Sequence, residues 1–216
     1  DTPTVTLIVN PNASLNELKN DWTVYHELSH LLLPYDGYGP RWLSEGIASY
    51  YQHIVQHRTG ILSDKSMWQK LVDGLYRGKK QTNRHDQNLS TVSDNLRQNK
   101  NYMRVYWSGA LFWLNADVKL RVASNNRQSL GSVLLALKMC CQRALMSGDE
   151  IIEKLDTLHP YKPIFTPLYH QYGQSKQLPD FDVLMTKLGI NIENGIVSFN
   201  PDAPLAAIRI SIAAKN

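Results

Sequence analysis

Cysteine is scarce in this chain of 216 residues, and its two cysteines, Cys140 and Cys141, are adjacent. Adjacent cysteines match neither a disulfide framework nor the spacing of a cysteine-based zinc site, so we expect them to be thiols in the core. Long apolar runs are also absent, since no stretch approaches the ~20 residues that span a bilayer. We therefore predict no membrane-spanning helix.

Charge of one sign is not in large excess, because 23 Lys and Arg against 19 Asp and Glu give a net charge of +4. No basic block is longer than Lys79–Lys80, whereas nucleic-acid binders usually cluster their bases on one face. The sequence also lacks a Gly-x-Ser-x-Gly nucleophile motif, a phosphate-binding loop and internal repeats. These absences argue against nucleic acid as a partner, against a serine hydrolase and against a repeat architecture.

What remains is the composition of a globular protein, with 43% hydrophobic and 19% charged residues. The chain begins at Asp1 without a methionine, so we expect that a leader or an upstream domain was removed. The compartment is left open, with an exported or periplasmic location favoured over a cytoplasmic one. The oligomeric state is left open as well.

Apolar residues recur at steps of three and four over most of the chain, which predicts a mainly α fold of the α+β type. Helices are predicted at 15–33, 42–58, 67–75, 102–122, 130–145, 149–158, 163–172 and 181–188, with Ser129 as the N-cap of the fifth. A short strand is predicted at 5–9, and alternation typical of strands occurs at 196–199 and 208–212. We divide the chain into a domain at 1–190 and a C-terminal extension at 191–216 that packs on it.

One motif points to chemistry: residues His26 to His30 read His-Glu-Leu-Ser-His and lie inside the first predicted helix. Four residues advance a helix by about 400°, so the two histidines share a face and are separated by ~6 Å along the axis. That geometry suits two imidazole ligands of one tetrahedral zinc ion. Glu27 would lie beside the metal, where a carboxylate can take a proton from water. Leu28 and the three leucines after His30 indicate a largely buried helix, where unpaired His and Glu are costly.

A catalytic zinc site needs a third protein ligand, and Glu45 is the candidate. Fourteen residues separate it from His30, and they include a Pro/Gly-rich loop long enough to fold the second helix back beside the first. Gly46 and Ala48 are small, which allows close helix packing. The alternative is that Glu45 is an ordinary carboxylate near a helix N-terminus, where the helix dipole favours it.

Other polar residues have simpler interpretations. His53 and His57 are four residues apart, but we interpret them as a solvated helix face and not as a second metal site. Asp117 and Arg121 form an (i, i+4) pair with a structural or supporting role.

Two segments resemble a known group of enzymes. Trp42–Tyr50 matches the Trp-Leu-x-Glu-Gly-x-Ala-x-Tyr segment of the gluzincin metallopeptidases, in which the Glu is the third zinc ligand. Tyr106–Leu111, followed by Asp117 and Arg121, resembles the corresponding helix of the glycyl aminopeptidase family within that group. The stronger part of the resemblance spans 22–121, and a weaker similarity continues to 190.

The resemblance implies a thermolysin-like zincin catalytic domain, with the N-terminal β element near the zinc helix and without the family's flanking domains. It implies Zn²⁺ as cofactor and a peptide or protein as substrate. It implies His26, His30 and Glu45 as zinc ligands, Glu27 as general base and Tyr106 as the oxyanion stabiliser. A phenol O–H is suited to that last role, since peptide hydrolysis develops negative charge on the carbonyl oxygen. From the residues alone, Tyr106 could equally be a core aromatic residue.

The sequence departs from the family in two places. Ser108 stands where the family has Lys before Gly, and the Gly-rich segment ending in Glu that binds the substrate's free amine is missing. Glu17 is the only nearby carboxylate, and a solvated helix residue is its simpler interpretation. We therefore expect a zinc peptidase resembling an aminopeptidase, with two alternatives: a zinc endopeptidase of the same fold, or a zinc-stabilised peptide-binding module without turnover.

Overall fold

The chain folds mostly into helices, so the predicted mainly α class is confirmed. The computed structural model describes residues 4–37, 39–82, 86–141 and 144–214. The helices there are α1 Leu15–Asn20, α2 Trp22–His30, α3 Arg41–Arg58, α4 Asp64–Lys80, α5 Leu89–Asp94, α6 Leu96–Asn99, α7 Tyr102–Ala123, α8 Leu130–Cys141, α9 Gly148–Thr157, α10 Phe165–Gly173, α11 Asp182–Lys187 and α12 Ala206–Ala213. The strands are β1 Ile190–Glu193 and β2 Ile196–Phe199. No helix in the described ranges is both long and apolar enough to cross a bilayer.

Helices α3 and α7 form the centre of the core. Trp42, Leu43 and Ile47 on α3 and Phe112 and Trp113 on α7 are all completely buried. A helix that is apolar on nearly every side needs neighbours on every side. Accordingly α2, α4, α10 and α12 pack around this central pair. The candidate ligand on α3 thus lies on a central helix of the core, and the helix that carries the other two packs directly against it.

Two glycines set the separation of α3 and α7. A Cβ on Gly109 would collide with the carbonyl oxygen of Trp42 and would lie 2.7 Å from the Cα of Gly46. A Cβ on Gly46 would lie 2.5 Å from the Cα of Gly109. The sequence predicts Gly46 as a close-packing residue toward the preceding helix, whereas the neighbour that requires glycine is α7. The backbones of the helices that carry Glu45 and Tyr106 touch here.

We expect Gly109→Ala to destabilise the fold by about 1–3 kcal/mol or more, because the added methyl group meets backbone atoms that can move only if the helices separate. Urea unfolding measures the change. The matched control is Gly131→Ala on α8, where a Cβ would lie 3.6 Å from its nearest neighbour and where alanine is the better helix former. Equal stability of Gly109→Ala and the parent would contradict the close crossing.

The helix predicted at 15–33 is in fact two helices, so that prediction is wrong in its boundaries. Asp21 is extended, with φ −68° and ψ 127°, and its carboxylate accepts the backbone N–H of Thr23, which caps α2. Aspartate prefers this position because it satisfies a free N–H at the helix start. Helix α2 ends at His30, and Leu28 and Leu31 are 49% and 43% exposed. The helix is therefore less buried than the sequence indicates.

The N-terminal strand predicted at 5–9 is absent, and with it the N-terminal β element of the predicted fold class. Residues 4–10 have no regular secondary structure, and Ile8 is completely exposed. Apolar β-branched residues favour a strand only when another strand offers backbone partners, and no described strand lies beside this segment.

The C-terminal region combines one confirmed prediction and one wrong one. Strand β2 occupies the predicted 196–199 and pairs antiparallel with β1 through a turn at Asn194 and Gly195, whose φ values are 50° and 79°. Two consecutive positive φ angles are typical of the tight turn that matches strand twist. Residues 208–212 are helical and not extended, because burying Ile208 and Ile212 on one face of α12 satisfies the same apolar residues. The division at 190/191 remains a prediction.

The cysteines also differ from expectation. Cys140 and Cys141 lie in the last turn of α8 and are bonded to each other, so the prediction of core thiols is wrong. Spacing rules consider cysteines that are far apart along the chain, whereas these two sulfurs are brought together by adjacency itself. The core face of α8 ends one turn earlier, at Leu137. The predicted helix extends to residue 145 and so includes residues 142–143, which lie outside the described ranges.

Candidate metal centre

Helix α2 presents the two histidines of the motif on one face. The ring centroids of His26 and His30 are 5.0 Å apart, and the planes are nearly perpendicular. His26 is buried, whereas the side chain of His30 retains 26% exposure. The face that carries the motif therefore opens toward solvent at His30.

Helix α3 places Glu45 against this pair. The loop after α2 reverses the chain and α3 begins after Pro40, so Glu45 stands in the second turn, facing α2. Its Oε2 atom lies 3.3 Å from His26 Nε2 and 3.8 Å from His30 Nε2. One ligand atom from each residue lies within 4.8 Å of the others, and no other group of His, Cys, Asp or Glu in the described ranges is so arranged.

The Nδ1 atoms of both imidazoles have hydrogen-bond partners, which leaves the Nε2 atoms available to bind a metal. His26 Nδ1 is 2.8 Å from Gln52 Oε1, and His30 Nδ1 is 3.0 Å from Ser44 Oγ. A ligating histidine typically uses its second ring nitrogen in this way. Burial lowers the pKa of His30, although the charge of Glu45 opposes the effect. A neutral His30 is the form that can bind a metal.

The donor set fits zinc. Two imidazole nitrogens and one carboxylate oxygen form the three-ligand arrangement of catalytic zinc sites, which keep a fourth position for water or substrate. The partial exposure of His30 and Glu45, at 26% and 24% of their side chains, gives that fourth position access from solvent. The structure brings together the three residues that the sequence analysis selects.

Glu27 borders the same cleft. It is half-buried on α2, next to His26. Its negative charge raises the pKa of both His30 and Tyr106, although burial is the largest influence on each. Glu27 is therefore close enough to His30 and Tyr106 for its charge to act on both.

Tyr106 stands on the other side of the cleft. Its ring stacks on His26 with centroids 5.9 Å apart and planes at 23°. Burial, the charge of Glu45 and a hydrogen bond with Glu45 raise the pKa of Tyr106 well above its ordinary value. The phenol is therefore protonated at neutral pH and can donate a hydrogen bond. The structure thus places Tyr106 at the candidate site and not in the distant core. Ser108, where the resembling family has Lys, is buried.

Helix α3 also holds polar residues that the sequence analysis missed. Gln52 lies seven residues after Glu45, on the same helix face, and contacts His26. His53 is only 5% exposed and hydrogen-bonds Gln52 and Gln56, so its interpretation as part of a solvated face is wrong. His57 instead bonds the Leu62 carbonyl. A run of Gln, His and Gln inside a buried helix was the available signal, because buried polar groups require partners.

Glu17 is not placed to read a substrate. Its carboxylate accepts the backbone N–H and the hydroxyl of Ser14, at 2.7 and 2.8 Å, which completes a capping box at the start of α1. The residue is exposed, and these hydrogen bonds lower its pKa. The interpretation of Glu17 as a solvated helix residue agrees with this position.

Asp117 and Arg121 lie deep in the core and tie helices together. Asp117 accepts hydrogen bonds from Tyr50 Oη, from Arg121 Nε and from the backbone N–H of Leu130, at 2.8–2.9 Å. Burial and the nearby charge of Asp117 raise the pKa of Tyr50. The ion pair is buried, so its removal would leave an uncompensated charge in the interior.

Comparison with known proteins supports the resemblance seen in the sequence. Residues 38–115 match the family model of the M61 glycyl aminopeptidases. The match includes Glu45 and Tyr106 and begins after His30. A search of curated protein sequences finds no match.

One similar solved structure is an aminopeptidase N family protein from Idiomarina loihiensis, with a TM-score of 0.64 and 20% sequence identity. The alignment covers 92% of this chain and 39% of that chain. The chain thus spans less than half the length of that structure. The fold is that of a domain found in an aminopeptidase-type protein.

Proposed function

We propose that this chain is the catalytic domain of a zinc-dependent peptidase that acts in the manner of an aminopeptidase, with a thermolysin-like zincin fold. The observation that carries the proposal is the convergence of His26, His30 and Glu45 on one point, with Glu27 and Tyr106 beside it. A binding module without turnover has no need of the last two groups. Their positions support an enzyme.

The residues around the centre have distinct roles. Zinc held by His26, His30 and Glu45 would polarise the scissile carbonyl group and acidify water. Glu27 takes the proton of the attacking water and delivers it to the leaving amine. Tyr106 donates its hydroxyl proton in a hydrogen bond to the carbonyl oxygen, where negative charge develops. Its raised pKa keeps that proton in place.

An endopeptidase of the same fold is the second candidate, and one observation favours it. Recognition of a free amino terminus needs a carboxylate counter-charge, and Glu17 is already engaged with Ser14 at an exposed helix start. The carboxylates whose charges act on Tyr106 are Glu45 and Glu27, which have other roles in the proposal.

Metal binding is tested by elemental analysis. We expect about one zinc ion per molecule after reconstitution, and we expect His30→Ala to lose it, because a site left with two ligands holds zinc poorly. The matched control is His57→Ala on α3, which bonds a loop carbonyl and should retain the metal. Absence of zinc in the parent, or full retention in His30→Ala, contradicts the assignment.

Turnover and direction of attack are tested together by digesting a mixed peptide library and reading the products by mass spectrometry. Loss of single N-terminal residues, abolished by chelation and restored by zinc, is the expected result. Internal cuts with the same metal dependence would establish the endopeptidase. Intact peptides with zinc-loaded protein would contradict both and leave the binding module.

A further inference from the structure

A chain of hydrogen bonds runs from His26 into the interior, away from the candidate metal position. His26 Nδ1 is 2.8 Å from Gln52 Oε1, and Gln52 Nε2 is 2.9 Å from His53 Nε2. His53 Nδ1 is 2.9 Å from Gln56 Oε1, and Gln56 Nε2 is 3.2 Å from the backbone carbonyl oxygen of Asn20. These four side chains are each at most 5% exposed. Water therefore has little access to compete for these contacts.

At the inner end of these hydrogen bonds, where Gln56 meets Asn20, the donor and the acceptor are fixed. Asn20 is the last residue of α1, and a backbone carbonyl oxygen can only accept hydrogen bonds. The atom of Gln56 that faces it must be the NH₂ group, so the other amide atom of Gln56 is the carbonyl oxygen. That oxygen can only accept from His53, and so His53 carries its proton on Nδ1.

His53 donates a hydrogen bond at one ring nitrogen and accepts one at the other, because this imidazole is neutral. Burial is the main influence that lowers the pKa of His53, to about 4. A neutral imidazole protonated at Nδ1 has a bare Nε2, which can only accept. Gln52 must therefore present its NH₂ group to His53, which turns its carbonyl oxygen toward His26.

The outer end of the chain reaches the proposed metal ligand. Because Gln52 Oε1 can only accept, His26 must carry a proton on Nδ1. A neutral His26 then has its lone pair on Nε2, the atom that lies 3.3 Å from Glu45 Oε2. Each amide and each ring has one orientation that satisfies the whole chain.

We propose that Gln52, His53 and Gln56 are positioning residues. Starting at the Asn20 carbonyl, each hydrogen bond fixes the orientation or tautomer of the next group, so that His26 is protonated on Nδ1 and its Nε2 lone pair faces the metal. The tautomers follow from the hydrogen bonds alone, whereas the effect on zinc binding rests on the proposed function. A glutamine that contacted nothing except His26 could orient that ring only if its own amide were held. Here the amide is held by a buried histidine, which is held in turn by a helix end.

The first test needs no substitution and no metal. Nitrogen-15 NMR of the metal-free protein, at a pH about 2 units above the ordinary histidine pKa, distinguishes protonated from bare ring nitrogens. We expect Nδ1–H with bare Nε2 in both His26 and His53. An Nε2–H tautomer in either ring overturns the proposal. If the parent protein has these tautomers but binds no zinc, the result supports the proposed hydrogen-bond directions and contradicts the proposed function.

A second test removes the hydrogen bonds of Gln56, at the inner end of the series. Gln56→Met keeps the side-chain length but cannot bond to Asn20 or fix His53. We expect a mixed tautomer at His26 and zinc affinity lower by about 10–100-fold, as for other outer partners of metal ligands. His57→Phe, one residue further along α3, alters a residue that takes no part in these hydrogen bonds and should change neither quantity. A folded Gln56→Met protein with the parent tautomer and affinity overturns the proposal.

A third test separates direction from packing. Gln52→Glu retains an acceptor for His26 Nδ1 whichever way it turns, whereas Gln52→Leu offers none. We expect Gln52→Glu to bind zinc at least as tightly as the parent, and Gln52→Leu to bind it about 10–100-fold more weakly. Competition with a chelator measures both values. Equal losses in the two variants, at equal unfolding stability, would assign Gln52 to packing alone and overturn the proposal.

Discussion

Tyr106→Phe should lower the rate of peptide hydrolysis on the order of 10²–10³-fold, the range observed when one oxyanion donor is removed. The substitution keeps the ring that stacks on His26 and removes only the hydroxyl beside Glu45. Folding and zinc content should therefore be unchanged. The measurement is kcat for one peptide, with elemental analysis and urea unfolding of the same preparations.

The control for that variant is Tyr102→Phe, one turn earlier on α7. Tyr102 is 39% exposed, and its ring centroid is 6.3 Å from that of Tyr106. It therefore tests the loss of a neighbouring hydroxyl with little change in packing, and we expect a nearly parental rate. If Tyr106→Phe were equally silent with normal zinc, Tyr106 would be a packing residue, and another donor would stabilise the oxyanion.

Glu27→Gln should abolish most of the activity, typically by 10²-fold or more, while zinc binding remains nearly intact. Glu27 borders the cleft without belonging to the group of three ligands. The amide has nearly the shape of the carboxylate but cannot accept the proton of water. Rates and zinc content of the parent and the variant, measured on the same peptide, check the prediction.

Glu17→Gln is the matched control for Glu27→Gln. The same substitution occurs there in a capping box, where glutamine also serves, so activity should be retained. A Glu27→Gln variant that hydrolyses peptides at the parental rate would exclude Glu27 as the base. A substantial loss in Glu17→Gln would point to recognition of the substrate amine and would favour the aminopeptidase over the endopeptidase.

Local sequence patterns predicted the half of the site that lies on one helix. The spacing of His26 and His30 is a property of helix geometry, so it is settled by residues that are neighbours in the chain. The same holds for α3 and α7, whose predicted limits agree with the structure within one residue. Where the outcome depended on distant partners, the patterns failed: residues 5–9 have no strand to pair with, and residues 208–212 form a helix against the core.

The amino-acid sequence by itself determined that two imidazoles share one face of α2 and that a carboxylate stands beside them. Only the tertiary structure decided which groups surround that face. Gly46 and Gly109 let α7 approach α3 and thus bring Tyr106 to Glu45, across a separation of sixty residues that no periodicity encodes. The orientation of Gln56, which bonds His53 on the same helix, depends on the end of α1, because its amide donates to the Asn20 carbonyl. Periodicity reports contacts within an element, whereas the contacts between elements depend on how closely whole faces can pack.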